Sequence, residues 1–514
     1  EIVFVLLSLL GMMAALIADK MRPGMVLFSV VVLFLCVGIL TPKEMLEGFS
    51  NKGMITVALL FLVSEGIRQS GTLGQVIKKL LPQGKTTVFK AQLRILPSVA
   101  FISAFLNNTP VVVIFAPIIK HWAKSVKLPA TKFLIPLSYV TILGGICTLI
   151  GTSTNLVVHG MILEAGYEGF TMFELGKVGI FIDIAGIIYL FIFSKRLLPD
   201  ARPDTAVPDE EVEEGEKLHR VEAVLGARFP GINKKLSDFN FQRHYGAEVK
   251  EIKTRNGQRY VDHLEDVVLR EGDTLVVMAD DTFIPTWGES SVFVLLTNGN
   301  DPDTSGKKKR WLALILLVLM IVGATVGELP ATKEMFPDIK LDMFFFVCIT
   351  TIIMAWTNIF PARKYTKYIS WDILITIACA FAISKAMVNS GVADCVAGFI
   401  IGLSDDYGPH VLLAILFVIT NLFTELITNN AAAALAFPLA LSISAQLGVS
   451  PTPFFVVICM AASASFSTPI GYQTNLIVQG IGNYKFTDFV RIGLPLNIIT
   501  FLISVILIPL IWNF

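Results

Sequence analysis

Charge is scarce in this sequence of 514 residues: only 16% are charged, against roughly 25% in a soluble domain. Neither sign is in excess, with 41 Lys+Arg against 41 Asp+Glu. That balance excludes a polybasic nucleic-acid binder and an acidic disordered tail. Cysteine is thin. Cys36, Cys147, Cys348, Cys379, Cys395 and Cys459 form no CxxC pair, so they read as reduced packing residues rather than a disulfide framework or metal site. The six histidines show no HxxxH or HExxH spacing. No basic region precedes the first apolar run, so a secretory signal is not expected. No nucleophile–base pair, metal cluster or phosphate loop stands out, so neither an enzyme nor a cofactor is expected.

What is abundant is apolar length: 54% of the residues are hydrophobic. Runs near 20 residues recur, and each can cross a hydrocarbon core of roughly 30 Å. The chain reads as a polytopic, multi-pass protein of the plasma (inner) membrane. In the first half the spans are about 2–18, 24–40, 53–68, a broken 133–165, and 178–195. In the second they are about 311–327, 341–357, 372–388, a broken 452–482, and 493–512. Two further apolar segments, about 95–119 and 412–447, are interrupted by Asn, Thr and Pro.

The charge that exists is concentrated. Residues 200–310 hold 38 of the 82 charged side chains in about a fifth of the length. They open with an acidic, Pro-containing linker, 203–216, and close with Lys307-Lys308-Lys309-Arg310. Between these, 247–253 alternates like a strand, Arg270-Glu271-Gly272-Asp273 reads as a turn, and 274–278 as a short apolar strand. The stretch is a small α/β domain outside the lipid. Basic residues flank it at Lys195, Arg196 and Arg202, and others cluster at Lys20/Arg22, Lys78/Lys79, Lys120/Lys124 and Arg363/Lys364. The positive-inside rule puts all of these in the cytoplasm. Five spans per half then place the N-terminus and residues 508–514 outside, and invert the second half relative to the first.

The halves also repeat. Gly151-Thr152-Ser153-Thr154-Asn155-Leu156 returns 320 positions later as Gly471-Tyr472-Gln473-Thr474-Asn475-Leu476. Ser64, Ser70 and Gly71 match Ser384, Ser390 and Gly391 at the same offset. At 321, Asn107-Asn108-Thr109 meets Thr428-Asn429-Asn430, and Pro117 meets Pro438. Inverted repeats with polar interruptions at matching places are the signature of a secondary transporter.

Non-helical backbone survives at membrane depth only where it lines a protein cavity. Four such breaks are expected, at 107–110, 151–154, 428–430 and 468–474, and none contains Lys or Arg. Freed helix N-termini suit an anion, whereas freed carbonyls and side-chain oxygens suit a hard cation such as Na⁺. The breaks therefore argue for coupled Na⁺ and anion binding. One isolated Asn/Thr pair would more simply be an interhelical hydrogen bond, but two matched pairs are not. Glu65 and Lys385 occupy repeat-matched positions and either pair or snorkel. Glu425, three residues before the second tip, is either a cation or proton ligand or a packing residue.

At these residues the chain resembles the divalent anion/sodium symporter family, which includes sulfate and di- and tricarboxylate carriers. The likeness covers both membrane halves, residues 1–199 and 311–514. It implies two re-entrant hairpins, each followed by a broken helix. It also implies one sodium site at Ser103, Asn107, Asn108 and Gly151, and another at Thr424, Thr428, Asn429 and Gly471. The substrate would touch Asn108, Thr109, Thr152, Ser153, Asn429, Asn430, Tyr472 and Gln473. Neither tip reads Ser-Asn-Thr as the family's do. Residues 218–287, within the insert at 200–310, are similar to the TrkA-C domain of regulators of potassium conductance. That likeness implies dimerisation and a small-molecule or nucleotide ligand. Sulfate carriers with such inserts often hold two copies, and one is evident here.

The expectation is an all-α membrane protein of two inverted repeats with a small cytoplasmic α/β insert. It would act as a Na⁺-coupled symporter of a divalent anion, sulfate first, through an elevator-like movement against a dimerising scaffold. A dicarboxylate symporter is the alternative, and a ligand-gated channel or a sensor the more distant ones.

Overall fold

The computed structural model describes residues 1–514 except 19, 83, 201–218, 227, 255–257, 281–282, 284–286, 288–291, 298–306, 337 and 404–407. The expected acidic linker, 203–216, lies outside the described residues.

The first half runs α1 (Ile2–Ala18), α2 (Pro23–Val37), α3 (Pro42–Glu47), α4 (Lys52–Gln69), α5 (Thr72–Leu80), α6 (Val88–Ser103), α7 (Asn108–Ser125), α8 (Leu134–Gly145), α9 (Ser153–Glu164) and α10 (Gly176–Leu197). The insert carries β1 (His219–Leu225), α11 (Phe241–Tyr245), β2 (Glu248–Lys253), β3 (Arg259–Tyr260), β4 (Thr274–Ala279) and β5 (Phe293–Thr297). The second half runs α12 (Lys307–Gly327), α13 (Pro330–Met335), α14 (Met343–Trp356), α15 (Tyr365–Tyr368), α16 (Trp371–Asn389), α17 (Val392–Leu403), α18 (Gly408–Leu426), α19 (Asn429–Leu447), α20 (Thr452–Ser463), α21 (Gln473–Gly482) and α22 (Phe486–Ile511). The protein is a polytopic, predominantly helical membrane protein with a small α/β insert. Among the described residues, seven helical segments are long and apolar enough to cross a bilayer.

Helices stand at the positions of the expected spans, and both interrupted apolar segments fold as helix pairs, α6/α7 and α18/α19. The first pair is longer than the 95–119 its apolar stretch suggests. Thr87 caps α6 by accepting from the Lys90 amide, so a polar first turn with Lys90, Gln92 and Arg94 joins the helix. Short α5 and its counterpart α17, which hydrophobic runs do not reveal, follow the third span of each half. In α5 an apolar edge at Leu73, Val76, Ile77 and Leu80 repeats at helical spacing, and Leu73 and Ile77 are buried.

Burial separates centre from rim. All twelve residues of α8 are buried, and α20 is buried from Pro453 to Ser463. In contrast, α1 buries only Val5 and Met12 of its 17 residues. On α10, Ile180, Ile184, Ile188 and Ile192 stand exposed at four-residue spacing, as do Leu494, Ile498, Leu502, Ile506 and Leu510 on α22. Such apolar stripes would be a liability in water and are the natural surface toward lipid. The breaks thus occupy the dry interior, while the hairpin helices α6 and α18, like α1, α10 and α22, also turn apolar residues outward, such as Phe101 and Leu422.

The insert's sheet has the strand order β3-β2-β4-β1-β5, so a fifth strand beyond residue 287 completes it. The sheet seats on one end of the membrane part. The Lys120 Nζ of α7 donates to the Glu222 carboxylate of β1 at 3.0 Å. Arg228 donates to the Ile369 carbonyl at 3.4 Å, and Asn233 to the Lys20 carbonyl at 3.4 Å. At α21, a Cβ on Gly480 would run into Thr274 Oγ1 of β4. Only glycine allows this close approach of strand and helix.

Candidate functional site

Helix α6 ends at Ser103, and α7 begins at Asn108 after a four-residue tip. The Ser103 hydroxyl, fully buried, donates to the Thr141 carbonyl at 2.8 Å and lies 2.8 Å from the Asn108 side-chain oxygen. That amide end also faces the Thr141 carbonyl at 2.8 Å and the Gly151 carbonyl at 3.3 Å. Four oxygen-bearing groups thus converge on one point. The amide satisfies these groups best with its nitrogen turned inward and its oxygen accepting from the Tyr472 hydroxyl at 2.7 Å. With a cation between them, the oxygen would face inward instead. Two glycines make room: a Cβ on Gly145 would meet the Asn108 amide, and one on Gly151 the Gly145 carbonyl.

The second half repeats this arrangement. The Thr424 hydroxyl donates to the Ala462 carbonyl at 2.6 Å, the counterpart of Ser103 on Thr141. The Gly151 amide donates to Thr148 Oγ1 at 3.2 Å, and the Asn155 amide to the Thr148 carbonyl at 2.9 Å. Correspondingly, the Gly471 amide donates to Thr468 Oγ1 at 3.3 Å, and the Asn475 amide to the Thr468 carbonyl at 3.2 Å. These bonds satisfy backbone groups freed where the helices break. A Cβ on Gly471 would strike Ser465 Oγ. Glu425 gives this half a carboxylate where the first half has Ala104. It accepts from the Ser467 amide at 2.9 Å and from Asn497 at 2.7 Å, and Ser465 Oγ reaches it at 3.5 Å.

Each tip then reaches across to the other half's broken helix. Thr109 Oγ1 donates to Gln473 Oε1 at 3.3 Å. Its repeat counterpart, Asn430 Oδ1, accepts from Ser153 at 3.1 Å. Asn429 donates to Thr154 Oγ1 at 2.7 Å. The Tyr472 hydroxyl meets Thr152 Oγ1 at 2.9 Å. The N-termini of four helices, α7, α9, α19 and α21, therefore meet at the centre. Three of them, at Asn107, Thr152 and Tyr472, have no side-chain cap. Uncapped N–H groups and positive dipole ends favour an anion, and no Lys or Arg stands in the four breaks.

The expected site residues divide by place. Ser103, Asn108 and Gly151 share one cluster. Thr424 and Gly471 flank another, each against Ser465. Thr109, Thr152, Ser153, Asn429, Asn430, Tyr472 and Gln473 form the crossed centre. Asn107 instead lines a small pocket with Ser64, Ser153 and Leu317. Thr428 accepts from the Ala431 amide as the cap of α19. Glu65 forms no pair with Lys385. Its carboxylate binds Arg68 and Gln69 on its own helix, each at 2.6 Å, while Lys385 is exposed. The carbonyls of Thr141 and Ala462, together with Thr148, Thr154 and Ser465, are participants the residue pattern did not single out. Backbone oxygens leave no trace in residue type, although Thr148 and Thr468 do share the repeat offset.

A family model described as "Citrate transporter" matches residues 13–443 and 338–514. A protein of Synechocystis sp. named "Uncharacterized transporter sll0640" is 30% identical over 94% of this chain and 93% of its own length. "Sodium/sulfate cotransporter 2" of Chlamydomonas reinhardtii is 30% identical over 54% of this chain and 31% of its own. "Sodium-dependent dicarboxylate transporter SdcS" of Staphylococcus saprophyticus is 25% identical over 28% of each.

Proposed function

Because the chain belongs to the citrate transporter family, we propose that it is a sodium-coupled symporter of a small divalent anion, with sulfate the leading substrate. The observation that carries this reading is the pair of repeat-related oxygen clusters flanking the crossed tips. Ser103, Asn108 and the carbonyls of Thr141 and Gly151 would hold one sodium ion. Thr424, Ser465 and the backbone around Ala462 and Gly471 would hold the second. Sodium at these points turns side-chain oxygens inward and orders both tips. Ordered tips in turn present Asn108, Thr109, Asn429, Asn430, Ser153 and Gln473, with the helix N-termini, to the anion.

The inverted halves suggest alternating access by movement of the hairpin-bearing core against a scaffold that dimerises. The insert would sit in the cytoplasm, on the face where Lys and Arg cluster. It touches α7 and α21 on one side and the Lys20 and Ile369 loops on the other. A TrkA-C-like domain in that position could regulate transport by holding these parts together, and a bound small molecule or nucleotide would change its grip. Uptake of labelled sulfate into proteoliposomes tests the reading: sodium should drive it, and equal uptake in choline would reject the coupling. The dicarboxylate-transporter relative favours a second reading, transport of a dicarboxylate, which competition between succinate and sulfate separates.

A further inference from the structure

Thr152 and Tyr472 are repeat counterparts, 320 positions apart, and their hydroxyls touch at 2.9 Å. Two points related by a twofold operation can meet only beside its axis. The two residues therefore flank the pseudo-axis between the halves, where a solute shared by both tips would lie. Around it the halves match: Thr109 on Gln473 mirrors Asn430 on Ser153. On the axis they do not. The first half supplies a threonine and the second a phenol ring.

That ring crosses from one broken helix to the other, and the side chain is almost wholly buried. Its hydroxyl donates to the Asn108 side-chain oxygen of the first tip, and is hydrogen-bonded to Thr152 of the first broken helix and Asn429 of the second tip. Two neutral donors from two elements, Thr152 and Asn429, thus converge on one oxygen, as they would on an oxygen of a bound anion. The backbone before the ring is closely packed, since a Cβ on Gly471 would strike Ser465 Oγ.

We propose, on the symporter reading above, that Tyr472 determines specificity by size. The ring walls off half of the axial space, and the hydroxyl holds the donors in place until an anion enters and then donates to it. A compact tetrahedral oxyanion such as sulfate needs one centre and short hydroxyl and amide donors. A dicarboxylate needs length along the axis, with an anionic group at each end, and the ring blocks that length.

The test compares wild type, Tyr472→Thr and Tyr472→Phe for uptake of labelled sulfate and succinate. Thermal stabilisation of the purified proteins by each anion is the second readout. Wild type should take sulfate and refuse succinate. Tyr472→Thr, which restores the first half's residue type, should raise the succinate-to-sulfate ratio about tenfold. Tyr472→Phe should still refuse succinate while taking sulfate more slowly. Succinate accepted by wild type or by Tyr472→Phe overturns the proposal. So does a folded Tyr472→Thr that keeps the wild-type ratio or binds neither anion. If Tyr472→Thr does not fold, Tyr472→Phe decides alone. Loss of sodium dependence with the size preference intact rejects the symporter reading and leaves the filter standing.

Discussion

Asn108 is fully buried and carries no charge, yet it stands where Ser103, two carbonyls and Tyr472 meet. Removing its amide leaves those groups unpaired in a dry interior, at about 1–3 kcal/mol for each lost partner. Asn108→Ala and Asn429→Ala should each lower sulfate uptake at least about tenfold while the purified protein keeps its helical circular dichroism. Retained transport in both variants would reject the site. Thr428→Ala is the contrast. It deletes a helix cap worth about 1 kcal/mol, so it should lower thermal stability modestly and spare the sodium dependence of uptake. These polar residues were legible because Asn and Thr interrupt apolar runs at matching offsets. The carbonyls of Thr141 and Ala462 were not, since every residue has a carbonyl and only the fold chooses which ones converge. For Glu65 the sequence left pairing with Lys385 and snorkelling both open, and Arg68 one turn on supplies a local partner instead.

Among elements, the broken helices carry the clearest dependence on sequence. Thr148, Gly151 and Asn155 close one break, and Thr468, Gly471 and Asn475 close the other with the same bonds. Gly471→Ala would force a methyl into Ser465 and push the second tip's partner out of place. It should impair sodium-driven uptake severely. Gly11→Ala, in lipid-facing α1 with open space around it, should transport normally. Equal activity of the two variants would show that the close packing at Gly471 is immaterial. The spans and both hairpins followed from hydrophobic length, but α5 and α17 did not, because at 9 and 12 residues they are too short to register as spans. The insert's fifth strand escaped notice because β5 earns its place only by pairing with β1 far back in the chain.

At the scale of the molecule, the Lys120–Glu222 ion pair ties the insert to the first hairpin. Burial alone would raise the Glu222 carboxyl, but the Lys120 and Lys253 ammoniums beside it outweigh that and hold it at about 2. A depressed carboxyl stabilises the folded contact above its ordinary value near ~4.3. That contribution is lost as pH falls through the folded value. Docking should therefore be unchanged between about pH 5 and 8, as judged by protease protection of the insert, and release within that range would contradict the assignment. Glu222→Lys should loosen the insert, and adding Lys120→Glu should restore it.

The central claim is that two sodium clusters order two tips around one anion, and sulfate uptake by proteoliposomes with sodium either inside, outside or absent tests it most directly. The account predicts uptake that follows the inward sodium gradient and vanishes in choline. Uptake that ignores the gradient, at equal rate in choline, would contradict it.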